Sequence, residues 1–455
     1  MRRLAFGWLI FDVVWVDRRG ASGMRETGEI LVDVQCDNNR RIRRASISNE
    51  RVPGVIERLA LTPGVDLRKT VPMLYSVCPA AHLVTLDATE RAAAGISEDD
   101  RRAVDRGFAE RALMLESLLE NVRLLLIDAA RLLGLEVSPQ ALTDYAALRA
   151  QFAEVLHTLG SFKMVNHPVD EALIEAGHAT IDQMWATLNH LLTEYLFCQA
   201  PEDYLKTLTT PELFDEWVSS HKTNSVAALK GRYDALEAGF GQIDCPALPD
   251  VDDDDFLVFA DEMLHRLKNE PGFDMAPVWH RSSALTGALP RQIRHLLIRQ
   301  MVERDGMTVV SILVSRLLET GALLLRLGHH DVDDIEGLSK PYRIYAHFDK
   351  DQSVAISMTQ TSRGLLTHAT GFRSTEEGLR RFHAVVTPTE WLLAPEGAGQ
   401  QALNAAIRYL KRTGNDHCDG RITEIVRLAL FELDPCLPLS VRLRHANLTT
   451  QGFAI

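Results

Sequence analysis

The sequence lacks the short motifs by which many nucleotide-binding and zinc-dependent enzymes are recognised. It contains no GxxxxGK[ST] phosphate loop, no convincing GxGxxG and no HExxH. Basic residues are also scarce relative to acidic ones, at 49 against 62, and the dense basic run RRIRR at 40–44 stands alone. Because nucleic acid binds through neutralisation of its phosphates, we expect no nucleic-acid partner.

Cysteine is sparse and scattered. The six cysteines form no closely spaced pairs that would indicate a disulfide framework. We interpret them as free thiols or metal ligands in a reducing compartment, and we expect a cytoplasmic protein. Long apolar runs are missing too, since Asp12 interrupts MRRLAFGWLIFDVVWV, which is shorter than the roughly 20 residues that span a bilayer. We therefore expect no membrane span.

The same N-terminal segment allows two interpretations of where the folded domain begins. Its basic start and apolar stretch resemble a signal peptide, but no small-residue cleavage site follows. We interpret residues 1–23 as an uncertain leader, or as a wrongly placed start that precedes Met24. Residues 24–455 are then expected to form one domain.

Hydrophobic periodicity divides this domain into three regions. In residues 24–84, GEILVDVQCDNNRRIRRASIS alternates apolar and polar residues around Asp37-Asn38-Asn39 and predicts a β-hairpin. Residues 85–327 have apolar residues at helical spacing and predict a core of long, buried helices. Residues 340–455 return to strand patterns, with two further helices. The expected fold is α+β, with a helical core bundle and small strand-rich lobes near both termini.

Two short segments carry residues that are typical of a metal site. YSVCPAAH places Cys78 four positions before His82, and Tyr75 stands where a second cysteine would complete a C-x-x-C. Near the other end of the chain, Cys436 follows Asp434-Pro435 directly after a predicted helix, and loops at element ends commonly carry ligands. Thiolates are suitable ligands for soft metal ions. Because the two cysteines lie at opposite ends of the chain, only the fold could bring them together.

In these motifs, and in their order, the sequence resembles the large subunit of the nickel–iron hydrogenases. That family carries R-x-C-G-x-C-x-x-x-H near its N-terminus and D-P-C-x-x-C-x-x-H near its C-terminus. Cys78, His82 and Cys436 stand at matching positions. Segments such as VPGVIERLALTPGVDLRKTVP, SRGLLTH, VVTPTEW and GRITEIVRLALFELDPC resemble further family segments, whereas about 140–290 is recognisable only as helical. The resemblance implies the large-subunit fold for residues 24–455.

The departures from the family pattern fall mainly on the nickel side of the site. The resemblance implies that Cys78 corresponds to a cysteine that bridges nickel and iron, and Cys436 to one that binds nickel alone. Four other functional positions are replaced: the second bridging cysteine by Leu439, the second nickel ligand by Tyr75, the final histidine by Arg442, and a proton-relaying glutamate by Thr27. Leucine cannot bind a metal, and nickel here needs soft thiolates. We therefore expect no nickel and no hydrogenase activity.

Most of the residues that the resemblance assigns to iron are kept: Cys78 remains as one bridging ligand, although Leu439 replaces the other. Two thiolates suffice for one low-spin iron that already carries carbonyl and cyanide ligands. Arg363 would donate a charge-assisted hydrogen bond to a cyanide nitrogen, and Thr389, beside Pro388, would donate through its hydroxyl or N–H. We interpret His82 as a residue that orients Cys78 through a hydrogen bond, with metal ligation as the alternative.

This combination resembles a branch related to the large subunit, the HupK-type or HoxV-type hydrogenase maturation proteins. It implies a non-catalytic scaffold that holds an Fe(CN)2CO unit, stably or in transit, and passes it to a hydrogenase large subunit. A HypC-type chaperone and other maturation proteins are the implied partners. The alternatives are a metal-free decoy that binds such chaperones, a hydrogenase or hydrogen sensor, and a relative of the quinone-site subunit of respiratory complex I.

Overall fold

The computed structural model describes residues 28–96, 103–161, 170–237, 239–332, 334–340, 342–376, 378–414 and 418–445. The interpretation of residues 1–23 as a leader, the start at Met24 and the replaced relay position Thr27 therefore lie outside the described residues.

Helices make up most of the described chain, and the strands form two sheets. The strands are β1 (Ile30–Cys36), β2 (Ile42–Asn49), β3 (Ile344–Asp349), β4 (Val354–Thr361), β5 (Gly364–Thr375), β6 (Gly378–Val386) and β7 (Leu439–His445). The helices are α1 (Val55–Leu61), α2 (Leu67–Leu74), α3 (Pro79–Ala93), α4 (Ala103–Val122), α5 (Ala129–Leu132), α6 (Pro139–Gly160), α7 (Glu171–Leu192), α8 (Pro201–Thr207), α9 (Pro211–Ser220), α10 (Ser225–Asp234), α11 (Phe256–Asn269), α12 (Ala288–Gln292), α13 (Leu296–Asp305), α14 (Val309–Leu327), α15 (Pro388–Leu392), α16 (Ala398–Thr413) and α17 (Asp419–Phe431). Short π-helical segments occur at Arg123–Asp128 and Thr193–Phe197, and a 3-10 turn at Phe273–Met275.

One sheet joins the two ends of the described chain. β1 and β2 form the predicted hairpin, whose turn is closed by Asp37, which accepts hydrogen bonds from the N–H groups of Asn39 and Arg41 at 2.9 Å each. β7 lies parallel to β1 on its other side, with Leu439 opposite Ile30. The sequence patterns do not predict β7. The strand-rich regions expected near each terminus therefore share this three-stranded sheet.

The second sheet is antiparallel, in the order β3-β4-β5-β6, and confirms the strands predicted in this region. Every residue of β4 is buried. α3 packs across β4, where the hydroxyls of Thr85 and Thr359 lie 2.6 Å apart and the Ser357 hydroxyl donates to the Thr85 carbonyl at 2.7 Å. These bonds satisfy polar groups that would otherwise be costly to bury. α3 is thereby fixed, and its N-terminus with it.

The core is a bundle of helices, as predicted. α14 lies at its centre, and each residue from 311 to 325 is buried. Two charged side chains on this helix have polar partners: Glu319 accepts two hydrogen bonds from Arg291, at 2.5 and 2.7 Å, and Arg316 donates to the Glu432 carbonyl at 3.1 Å. Within the described ranges, no helix is both long and apolar enough to cross a membrane.

Candidate functional site

Cys78 and Cys436 line the same cavity, which has a volume of about 220 Å³. Cys78 is buried at the N-terminus of α3, directly before Pro79, and proline is favoured at a first helical position. Cys436 is partly buried in the turn between α17 and β7. Burial raises the pKa of the Cys78 thiol well above its ordinary value, and the charge of a nearby Cys436 thiolate would raise it further. The fold thus brings together two thiols from opposite ends of the chain.

The turn that presents Cys436 is held by Asp434, two residues before the cysteine. Its backbone has a φ of 40°, in the left-handed region that non-glycine residues seldom adopt. The Asp434 carboxylate lies 2.8 Å from Arg123 and 3.0 Å from Arg363, and its carbonyl accepts a hydrogen bond from Arg363 at 2.7 Å. These buried contacts offset the cost of the unusual backbone. They fix where the chain turns from α17 toward the cavity.

The Cys436 sulfur accepts hydrogen bonds from a hydroxyl and a guanidinium. Thr389 Oγ1 lies 3.0 Å from the sulfur and also accepts a hydrogen bond from the Cys436 N–H at 3.0 Å. Arg51 Nη2 donates to the same sulfur at 2.9 Å, while Arg51 Nη1 lies 3.3 Å from a carboxylate oxygen of Glu390. Pro388 is buried at the first position of α15 and sets the start of the helix that carries Thr389.

Arg363 is buried close to Cys78 and has one unpartnered nitrogen. Its Nη2 lies 3.0 Å from both Glu120 and Asp434. Burial opposes its charge, but Asp434 and Glu120 outweigh this effect and hold the pKa of Arg363 above its ordinary value. The Arg363 charge also partly counters the rise in the pKa of Cys78. Its Nη1 is buried without a hydrogen-bond partner in the part of the chain that the structure describes. A buried donor of this kind is suited to a ligand acceptor.

His82 lies on α3 within a row of buried rings. Its ring stacks on Tyr75, with centroids 3.8 Å apart, and its Nδ1 lies 2.9 Å from Nε2 of His368. The other nitrogen of His368 lies 3.2 Å from His383. The His82 Nε2 has no hydrogen-bond partner among the described residues. The backbone N–H of His82 donates to the Cys78 carbonyl at 3.2 Å. Burial lowers the pKa of all three histidines, which keeps them neutral.

The residues that replace functional residues of the family motifs, Tyr75, Leu439 and Arg442, lie in different parts of the fold. Tyr75 lines the cavity, and burial raises the pKa of its hydroxyl, so that the residue stays neutral. Leu439 lies in β7, packed against the hydrophobic core. Arg442 also lies in β7, opposite Asp33 of β1. Of these positions, Tyr75 alone is brought to the cavity wall.

Several residues of the site carry no motif and escape sequence prediction. Arg51 contacts Cys436 across 385 positions, and nothing in its local sequence indicates this. Glu116 and Glu120 do carry a signal, because they stand four positions apart on an otherwise apolar stretch of α4. Glu116 accepts hydrogen bonds from the N–H groups of Ala80 and Ala81 at 2.7 and 3.0 Å. Burial raises the pKa of Glu116 to about 8.

The donors at the cavity fit some metal units and not others. No group of three or more His, Cys, Asp or Glu side chains that could hold a metal ion occurs among the described residues. Two thiols are too few for a bare nickel ion in a thiolate site. They do fit an iron that brings its own ligands, and the unpartnered Arg363 Nη1 is a donor suited to a cyanide nitrogen.

No protein-family model matches the chain, and no curated protein does. Among solved structures, a chain of an NAD+-reducing [NiFe]-hydrogenase in its H2-reduced state is 13% identical, covers 89% of this chain and 94% of its own, and has a TM-score of 0.55. The Ni-Fe-Se hydrogenase of D. vulgaris Hildenborough is 14% identical, with 88% and 94% coverage and a TM-score of 0.47. The [NiFeSe]-hydrogenase of Dm. baculatum is 15% identical, with the same coverages and a TM-score of 0.45.

At such identities the first of these similarities establishes the fold and nothing further. The expected fold class is confirmed: the chain has a mixed helix and strand fold like that of the nickel–iron hydrogenase large subunit.

Proposed function

We propose that this protein is a non-catalytic scaffold for hydrogenase assembly, which holds an Fe(CN)2CO unit and passes it to a hydrogenase large subunit. The observation that carries the proposal is one cavity lined by Cys78 and Cys436, with the buried Arg363, which keeps an unpartnered nitrogen, near enough to Cys78 to influence its pKa. A HypC-type chaperone and other maturation proteins are its proposed partners. We also keep the cytoplasm as the expected location, because the thiols must stay reduced.

The charges around the cavity support an anionic metal unit as cargo. Arg51 contacts the Cys436 sulfur, and Arg363 lies close enough to Cys78 to influence its pKa. Two cyanides and two thiolates on one iron carry more negative charge than the metal neutralises, and nearby guanidinium groups would offset it. Bound iron would also favour the thiolate form of Cys78, because metal binding displaces thiol protons.

The absent ligands support a role other than hydrogen turnover. The position of one missing nickel ligand is held by Tyr75, whose ring stacks on His82. Leu439, in β7, stands at the position of the other missing nickel ligand. A site with two thiols holds its metal less firmly than one with four, and this suits transfer better than permanent storage. Cys436 is partly exposed, and the cavity wall includes Met73, which is 79% exposed, so that cargo has a route in and out.

A maturation assay separates the scaffold from a metal-free decoy. In cells that depend on this protein, Cys78→Ala should lower both the iron content of the hydrogenase large subunit and its hydrogenase activity by at least tenfold. Cys198→Ala is the matched control, because Cys198 is exposed and does not line the cavity. Full maturation by the Cys78→Ala protein, at wild-type abundance, would reject the scaffold in favour of the decoy.

A further inference from the structure

Arg51 places a fixed positive charge directly on one of the two candidate ligands. Its Nη2 lies 2.9 Å from the Cys436 sulfur, and its guanidinium carbon lies 5.5 Å from the centre of the Tyr75 ring. The Arg51 side chain is 14% exposed. Because a guanidinium does not lose its proton in proteins, this charge persists at every pH at which the protein is folded.

The Arg51 guanidinium is held in place from several sides. Glu390, which is almost fully buried, lies 3.3 Å from Arg51 Nη1 and also accepts a hydrogen bond from Asn49 at 3.2 Å. Displacement of Arg51 would leave the Glu390 carboxylate buried without its cation, which is costly. The Tyr75 ring packs against the guanidinium on the cavity side. The positive charge therefore cannot move aside cheaply when a ligand enters.

The Arg51 charge would repel a bare divalent ion and attract an anionic metal unit. A metal bound to the Cys436 sulfur stands about 2.3 Å from it, and hence within a few ångströms of the guanidinium. At that distance, in a partly buried site, two cations repel each other strongly. A metal unit that carries its own cyanide ligands is attracted instead, because Arg51 can donate hydrogen bonds to them.

We propose that Arg51 is the specificity-determining residue of this cavity: it keeps bare divalent metal ions off the Cys78 and Cys436 thiols and admits a metal unit that brings anionic ligands. Tyr75 contributes to this selectivity. Its ring faces the guanidinium at a position where a cysteine thiolate would attract a metal ion. The inference rests on the thiol pair of the proposed function and assigns the selectivity of that pair to one residue outside every cysteine motif.

Nickel binding by the reduced, full-length protein tests this proposal. The protein is titrated with NiCl2 without oxygen, and thiolate-to-nickel charge-transfer absorption is followed. The nickel retained per chain is then measured after gel filtration. Arg51→Gln should bind Ni²⁺ at least tenfold more tightly than the wild type. Arg51→Lys keeps the charge and should stay close to the wild type. The double variant Arg51→Gln/Glu390→Gln removes both members of the ion pair, so that no buried carboxylate is left alone if the single variant folds poorly.

Two controls test whether the gain in Ni²⁺ affinity arises at this cavity. Arg58→Gln should bind Ni²⁺ like the wild type, because Arg58 is exposed and bonds to the Pro53 carbonyl. Cys436→Ser, added to Arg51→Gln, should abolish the gain. Equal Ni²⁺ affinity of the wild type and both neutral variants, or a gain that survives Cys436→Ser, would overturn the inference. That failure is distinct from failure of the proposed function, which would appear as absence of the iron unit from co-produced wild-type protein.

Discussion

At the scale of single residues, the chemistry of the cavity depends on what surrounds each sulfur. Cys78 is buried at the start of α3, where burial raises its pKa and keeps its thiol protonated until a metal displaces the proton. Cys436 is partly exposed and accepts hydrogen bonds from Thr389 and Arg51. The two cysteines thus have different environments: Cys78 is buried, whereas the partly exposed Cys436 sulfur has two hydrogen-bond donors.

Motif reasoning finds the residues that share a stretch of sequence with a cysteine, and misses those that reach the cavity from elsewhere. Cys78, His82 and Cys436 are visible because they stand in recognisable spacings. Arg51 is one arginine in a loop after β2, and it meets Cys436, in the turn before β7, where β2 and β7 lie on either side of β1. Contacts of this range are set by the tertiary structure, which no local pattern encodes.

Glu116 should make stability depend on pH. Its folded pKa is raised to about 8 by burial, against an ordinary value near 4.5, so the folded state holds a proton that the unfolded state has lost. The stability from this group is therefore fully present below about pH 4.5 and is lost as the pH rises through 8, with a limiting slope of about 1.4 kcal/mol per pH unit.

Urea denaturation at pH 5, 6.5 and 8 tests this dependence. Glu116→Gln should lose less unfolding free energy than the wild type between pH 5 and pH 8, because glutamine does not titrate. Glu432 is the internal comparison, since burial also raises its pKa to about 8 and it should keep part of the slope in the variant. Identical slopes for the wild type and Glu116→Gln would show that Glu116 ionises normally in the folded protein.

At the scale of elements, periodicity predicts most of the architecture. The hairpin of β1 and β2, the helical core and the strands of the second sheet are predicted from the sequence patterns, although β4 and the centre of α14 are buried on every side. β7 is the main omission. Its sequence, LSVRLRH, also alternates, but its partner β1 lies at the other end of the chain.

The pairing of β7 with β1 should be needed for a stable site. Val441 is buried in β7 opposite Val32, so that Val441→Asp would place an unpaired carboxylate in the core at a cost of about 3 kcal/mol or more. We expect a clear loss of thermal stability and faster alkylation of Cys436, which lies in the turn before this strand.

Arg444→Gln is the matched control for this strand. Arg444 is exposed in β7, and its ion pair with Asp33 at 2.7 Å should contribute at most about 1 kcal/mol. If Val441→Asp and Arg444→Gln were equally mild, the β7 pairing would not support the cavity.

At the scale of the whole molecule, the cavity exists only when both ends of the chain are folded together. Cys78 depends on α3 and the second sheet, whereas Cys436 depends on α17 and the sheet that β7 joins. The fold similarity to a nickel–iron hydrogenase chain extends over 89% of this chain. The proposed role instead rests on particular side chains, with Tyr75, Leu439 and Arg51 foremost.

The proposed scaffold role requires that the cavity hold an iron unit with carbonyl and cyanide ligands between Cys78 and Cys436. Infrared spectroscopy of protein co-produced with hydrogenase maturation proteins and purified without oxygen tests it most directly, with iron and nickel measured on the same sample. We expect carbonyl and cyanide stretching bands, with iron and without nickel, that disappear in both Cys78→Ala and Cys436→Ala. Absence of these bands and of iron from the folded wild-type protein, or stoichiometric nickel in it, would contradict the scaffold role.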